Sequence, residues 1–408
     1  MELCHEPVIQ RFLEYVKVPT MSCENAEKIP STDKQFVLAG KLADEMKEMG
    51  LVDVYVDDHC YVYGTLRGTV PEEDDHPVIG MIAHMDTSSE AADSPIRPDI
   101  RLYEGKDLCI NEEKGLFLSK EQFPELEIYR GKHLIVTDGT TLLGGDDKCG
   151  IAEILTAIER IIREGIPHRT IKVGFTPDEE VGRGAELFDI PAFGADFAYT
   201  VDGGILGELQ FENFNAASAD ITIHGVNVHP GSAKEKMKNA ALLAAEFIEL
   251  LPKNETPATT ENYQGFFHLL SVKASVEEAK LHYIIRDHDR DIFEARKKLL
   301  VNLCANQNKY HGDGTFELRL TDSYFNMREE MEKHPEVIER ARRAYVDAGV
   351  KPLTNPIRGG TDGATLTLKG LPCPNLGTGD NNAHSRFEYV CAEDMITMAD
   401  VIYRILTD

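Results

Sequence analysis

Basic residues are scarce in this chain. Its 43 Lys and Arg stand against 70 Asp and Glu, a formal net charge of −27 at neutral pH. Nucleic acid and anionic membrane surfaces both reward a basic face, so neither is an expected partner. No apolar run approaches the roughly 20 residues needed to span a bilayer. Near the N-terminus, Glu6 and Glu14 interrupt the stretch where a secretory signal would need an unbroken apolar segment, so the cytoplasm is the expected location. Cysteine is present but unorganised. The eight are scattered, none forms a CxxC pair, and reduced thiols are expected rather than a disulfide framework. HExxH is absent too, which argues against the single-zinc site that this motif builds on one helix. There is no internal repeat and no low-complexity tract.

What is present suffices for two domains: 408 residues, 42% of them hydrophobic. Strand-like runs alternate with helical faces through the first half. RTIKVGFTP and DFAYTVDGG read as strands, while Ile151, Ile154, Leu155, Ile158, Ile161 and Ile162 mark one helical face. Such alternation predicts an α/β domain around a largely parallel sheet. From about residue 214 the pattern changes to β-α-β-β-α-β, the ferredoxin-like order, and it holds to about 322. The α/β pattern then resumes to the C-terminus. The expected boundaries are a catalytic domain in two parts, 1–213 and 323–408, around an inserted domain at 214–322.

The chemistry gathers where strands end. In open α/β sheets ligands bind beyond the carboxyl ends of the strands. Here VIGMIA runs into His84-Met85-Asp86, TIKVGFTP into Asp178-Glu179-Glu180, and FAYTV into Asp202. The turn LLGGDDKCG presents Asp146 and Asp147 ahead of a helix, and PNLGTG leads on to His384. Histidine nitrogen and carboxylate oxygen are standard zinc ligands. Five of them exceed one tetrahedral site but fit two metals that share a carboxylate. Of Glu179 and Glu180, one can coordinate while the other serves as general base. Asp86, two residues beyond His84 on an extended chain, can hold the other imidazole nitrogen. Cys149 lies close by and reads as a small packing residue.

In this order and spacing, HMDT, GGDDKCG, TPDEEVGRGA, YTVDGG, NVHPGSA, HYIIRDHD, SYFNM, PIRGGTDGA and HSRFE resemble the peptidase T family. Its members are tripeptide aminopeptidases, placed among the dinuclear zinc exopeptidases with peptidase V and carboxypeptidase G. The resemblance covers essentially the whole chain. It implies a zinc exopeptidase-like α/β catalytic domain with a mostly parallel sheet and an inserted ferredoxin-like α+β lid and dimerisation domain. It also implies two Zn²⁺ per subunit, short peptides as substrates and a homodimer formed through the inserted domain. Position by position, Asp146 matches the bridging carboxylate. His84 and Asp202 complete one zinc site, and Glu180 and His384 the other. Glu179 matches the general base, and Asp86 the residue that orients His84. Asp147 matches no ligand and reads as structural. On the inserted domain His229 matches a histidine that reaches substrate, in some relatives from the partner subunit. Arg286 and Arg358 match positions suited to holding the peptide carboxylate, which a guanidinium can grip through both oxygens. His224 matches no role.

Two other readings stand beside this one. A relative acting on dipeptides or N-acylated amino acids is the alternative within the enzyme class, and YTVDGG and TPDEE speak against it. A zinc- or peptide-binding protein without catalysis would require a missing ligand or base, and none is missing. One stretch departs from the family pattern. Asp380, Asn381, Asn382 and Ala383 precede His384 where members carry an aromatic-rich Gly-Tyr-Asn-Tyr. The departure bears on side-chain preference, not on metal binding.

Overall fold

The computed structural model describes residues 3–70 and 77–408. Among them the chain forms two compact units. One comprises Met1–Phe211, Glu329–Asn355 and Thr361–Asp408, and the other Glu212–Arg328 with Pro356–Gly360.

The first unit is built on a seven-stranded sheet. Its spatial order is Val52–Val56, Val62–Leu66, Ile171–Thr176, Ile79–His84, Phe197–Gly203, Asn375–Gly377 and Leu209–Gln210. The four strands from Ile171–Thr176 to Asn375–Gly377 run parallel, and the outer pairings are antiparallel. A parallel strand covered on both faces needs an unbroken apolar run, and Ile79–His84 is buried at every position. The helix Gly145–Glu164 buries Ile151, Ile154, Leu155, Ile158 and Ile161 and ends at Gly165, whose φ of +63° favours a residue without a side chain. Ile162, expected on the same face, lies at the edge of the stripe and is 38% exposed.

A smaller sheet of the same unit escapes any reading of periodicity. It joins Asp380–Asn381, Tyr389–Cys391, His133–Val136 and Asp99–Leu102 in that order, with strands of only two to four residues. Tyr103, Tyr129, Leu134, Val136 and Tyr389 form its core. This sheet anchors the hairpin that carries His384.

The second unit has a four-stranded antiparallel sheet in the order Phe266–Ala274, Glu278–Asp287, Asn215–His224, Phe316–Tyr324. The helices Ala240–Glu249 and Arg290–His311 share one core with it. Ala219, Ile221, Ile223, Leu281 and Ile285 from the strands meet Phe247, Phe293 and Leu300 from the helices. The chain order β-α-β-β-α-β is the ferredoxin-like order expected from the sequence. Pro356–Gly360 carries no strand periodicity, yet it belongs to this unit. Ile357 bridges Asn213, and its carbonyl faces the ring of His288 at 3.1 Å.

One buried group costs stability. Glu153, inside the helix Gly145–Glu164, is fully buried, and neither carboxylate oxygen meets a hydrogen-bond donor among the described residues. Burial raises its pKa well above the usual carboxyl range, helped by the charge of Asp394. Replacing it with Met should therefore stabilise the fold by about 1–3 kcal/mol, the usual cost of an unsatisfied buried polar group. The same burial sets the sign of the pH dependence. The folded state keeps the proton while the unfolded chain releases it near 4.5. The native protein should lose stability relative to Glu153→Met as pH rises above that value, at about 1.4 kcal/mol per unit. Denaturant midpoints of both proteins from pH 5 to 8 measure it. A constant difference across the series would refute the assignment.

Candidate metal centre

The parallel strands of the first unit end level with one another. His84 closes its strand beside Thr176, and Val201 lies beside Leu376. Residues just beyond these ends therefore share one edge. The helix Gly145–Glu164 begins there as well, with Asp146 and Asp147 still in non-helical backbone. His384, in the hairpin loop between Asn381 and Tyr389, has φ +61°.

Two groups of donor atoms form at this edge: His84, Asp146 and Asp202, and then Asp146, Glu180 and His384. Within each group the atoms lie within 4.8 Å of one another. Asp146 belongs to both. Its Oδ1 lies 2.8 Å from Nε2 of His84, and its Oδ2 lies 3.3 Å from Nε2 of His384. Asp202 closes the first group at 3.3 Å from His84 Nε2, and Glu180 the second at 2.7 Å from His384 Nε2. The five residues expected as ligands are thus brought together, and the expected bridge stands between the two groups. Glu179 enters neither group. Its neighbour Glu180 turns toward His384, which separates two residues that spacing alone leaves equivalent.

The electrostatics of the set favour cations. Burial opposes charge on His84, but Asp202 and Asp146 outweigh it and hold the ring protonated well above its ordinary range. Hydrogen bonds to Asp146 and Glu180 raise His384 to about 11. Burial would raise Asp146, yet the two imidazoles bring it below the usual carboxylate range. Burial, then the charge of Asp146, raises Glu180 to about 7. Glu179 is pushed well up by burial and by Asp202. Nitrogen and carboxylate donors converging on two points with a shared oxygen ligand fit divalent metal ions, and the donor set is of the kind zinc takes.

Supporting groups hold the donors in place. Nδ1 of His84 faces the backbone oxygen of Asp86 at 3.1 Å and its carboxylate at 3.4 Å. That carboxylate has a second task, for it accepts the backbone N–H groups of Glu179 at 3.0 Å and Glu180 at 3.2 Å. Asp86 thereby fixes the glutamate turn as well as the histidine. Asp147 accepts the N–H of His84 and of Gly150, in keeping with a structural role. Asp178 does not join the donors. Its carboxylate is fully buried and accepts from Ser31 and Gln35. Asp362 is a neighbour of the site that sequence reasoning missed. Burial raises it to about 7, and it accepts from the hydroxyl of Thr176 at the neighbouring strand end. Its only sequence signal is its place in the RGGTDGA turn.

The remaining candidates lie on the second unit. His229 is exposed and its Nδ1 accepts the N–H of Gly231, so a neutral ring carries its proton on Nε2. Arg286 donates from Nη1 to the carbonyls of Ala217 and Ile285. Its acidic neighbours are engaged elsewhere: Asp287 pairs with Arg296, and Asp289 caps a helix. Arg358, also expected at the substrate, is committed to its own unit. Its two terminal nitrogens donate to the carbonyls of Asn262, Gln264 and Thr260 and to the Thr260 hydroxyl. In that arrangement it presents no pair of N–H groups to a carboxylate. His224 lies 3.4 Å from Glu317, an ordinary surface pair.

Known proteins match this architecture along its length. The peptidase dimerisation domain of the M20 family matches residues 211–311. Peptidase T of Halothermothrix orenii is 52% identical over 403 residues, covering 98% of both chains. Peptidase T of Desulfitobacterium hafniense is 51% identical over 401 residues, covering 98% of this chain and 97% of its own. Among solved structures, the aminopeptidase PepT from Bacillus cereus superposes with a TM-score of 0.77 at 24% identity, over 98% of this chain and 97% of that one. A dinuclear metal-binding M20 peptidase from Bacillus subtilis shares the fold at a TM-score of 0.65 and 15% identity, over 98% of this chain and 96% of that one.

Proposed function

The chain belongs to the peptidase T family, and from that premise we propose that it is a metallo-aminopeptidase releasing the first residue of short peptides, tripeptides foremost. One observation carries the reading. Two donor groups share Asp146, while Glu179, on the same turn as Glu180, contributes an atom to neither. His84, Asp146 and Asp202 would hold one zinc ion, and Asp146, Glu180 and His384 the other. When bound, such a metal pair lowers the pKa of water and polarises a carbonyl oxygen.

The residues of the chain do the rest. Glu179 removes a proton from the attacking water, whose oxygen bonds to the scissile carbonyl carbon. As the C–N bond breaks, Glu179 returns that proton to the departing amine. Asp86 keeps the base in place through the amides of Glu179 and Glu180. His229 and Arg286 are the substrate-binding residues that the family resemblance implies.

Charge supports a homodimer formed through the second unit. That unit has 15 Lys and Arg against 16 Asp and Glu, which leaves 28 against 54 of the chain's 43 and 70 on the first. Two surfaces close to neutral meet without the repulsion that two acidic ones would carry. Eight free cysteines and the absence of a helix long and apolar enough to cross a membrane, among the described residues, accord with the cytoplasm.

The deciding assay compares an unmodified tripeptide, a dipeptide and the N-acetylated tripeptide, with zinc and then with chelator. Release of only the first residue from the free tripeptide, abolished by chelation, is the expected outcome. Preferential cleavage of the dipeptide or the acetylated compound would move the chain to the dipeptidase or deacylase alternatives.

A further inference from the structure

Glu388 sits four residues beyond His384, at the foot of the same hairpin, and is buried at 3% exposure. It joins neither donor group. Its carboxylate instead crosses to the loop that leads into Asp146. Oε2 accepts the N–H of Leu143 at 2.8 Å and of Gly144 at 2.9 Å, and Oε1 accepts the N–H of Asp146 at 3.1 Å. Gly144 has φ +78°, a left-handed turn that helps successive amides converge on one anion. Gly145 has no room for a side chain. A Cβ there would lie 2.7 Å from Val390 Cγ2 and 3.0 Å from Glu388 Oε1. The loop and the hairpin therefore meet backbone against carboxylate.

We propose that Glu388 is a positioning residue of the metal centre, setting the backbone of Asp146 in register with His384. The hairpin beneath it is fixed independently, since Asp380 pairs with Val390, and Val390 pairs with Ile135 in the neighbouring strand. His384 and Glu388 thus move as one piece. Asp146 hangs from that piece through its own amide and through the two amides just before Gly145. A carboxylate suits this task because both of its oxygens accept. A glutamine in the same shape would keep one oxygen for Leu143 and Gly144 and turn an N–H₂ toward the N–H of Asp146. Donor would then face donor at the residue shared by both groups. Supporting partners of this kind change metal affinity or activity by about 10–100-fold when removed.

The inference rests on the metal assignment above, and the experiment separates the two. Metal-free full-length protein, Glu388→Gln and Glu153→Gln are titrated with Zn²⁺ against a chromophoric chelator, and with Co²⁺ while its visible bands are recorded. Glu153→Gln is the matched control, an isosteric change at a buried acid that accepts no hydrogen bond. The expected result is metal binding about 10–100-fold weaker in Glu388→Gln, with altered Co²⁺ bands at saturation, while Glu153→Gln matches the native protein. Equal affinity and spectrum in Glu388→Gln would overturn the proposal, and so would an equal loss in both variants. A native protein that binds no metal would overturn the metal assignment itself. If Glu388→Gln does not fold, Glu388→Asp keeps the charge but shortens its reach by one methylene. Native affinity in that variant would overturn the proposal equally.

Discussion

Replacing Asp146 with Ala is expected to remove both metal ions and to bring peptide hydrolysis down to the background of the assay. The reason is geometric. Its two oxygens face different histidines, Oδ1 toward His84 and Oδ2 toward His384, so a single substitution takes a ligand from each group. No other residue in the set does this. Asp202 and His84 belong to one group, and Glu180 and His384 to the other. Elemental analysis should show about two ions per chain in the native protein, none retained in Asp146→Ala, and about one in Asp202→Ala. The substitution removes repulsion with Asp202 and Glu180 but also the pairing with His84 and His384 that holds Asp146 ionised, so the denaturant midpoint of the variant is compared with that of the native protein to show that metal loss is not unfolding. Asp146→Ala with two tightly held ions would mean that the two groups do not share a ligand.

The sequence made this site visible because its donors lie at the ends of apolar runs. Strands that end at His84, Thr176 and Gly203 bring their last residues and the next few to one edge, and that rule needs no contact information. It could not order the residues within TPDEE. Asp178, Glu179 and Glu180 are consecutive acids, and only the fold shows Asp178 turned toward Ser31 and Gln35 while Glu180 turns toward His384. Nor could it find Glu388, whose partners are more than 240 positions away and are backbone amides without a side-chain signature. Its place at the end of HSRFE, between Phe387 and Tyr389, is the signal that was available. The small sheet around it was illegible for a related reason. Strands of two to four residues are too short to show a period of two. Arg358 differs again. Its motif pointed to the substrate, but Pro356–Gly360 joins the second unit, where the guanidinium ties down the loop at Thr260–Gln264. Pattern and spacing therefore pointed to one edge and its candidate donors, whereas the groups that hold them emerged only from long-range packing.

Glu179→Ala should separate chemistry from metal binding. Glu179 contributes no atom to either donor group, so both ions should remain at native stoichiometry. Turnover should fall about 10²–10⁴-fold, the usual contribution of a positioned general base. KM should change little, because a base that acts as the bond breaks contributes more to the transition state than to the bound substrate. Glu180→Ala is the necessary contrast. It removes the partner 2.7 Å from His384, so it should lose metal from the second group and activity with it. The two variants differ by one position on the same short turn, and Asp86 holds both amides. A difference between them in metal content therefore reports which carboxylate coordinates rather than how well the turn folds. Should Glu179→Ala lose metal while Glu180→Ala keeps it, the two roles exchange. Should Glu179→Ala keep both its metals and its full turnover, the proton has another acceptor, and Asp362, raised to about 7 and bonded to Thr176 at the adjacent strand end, is the first to test.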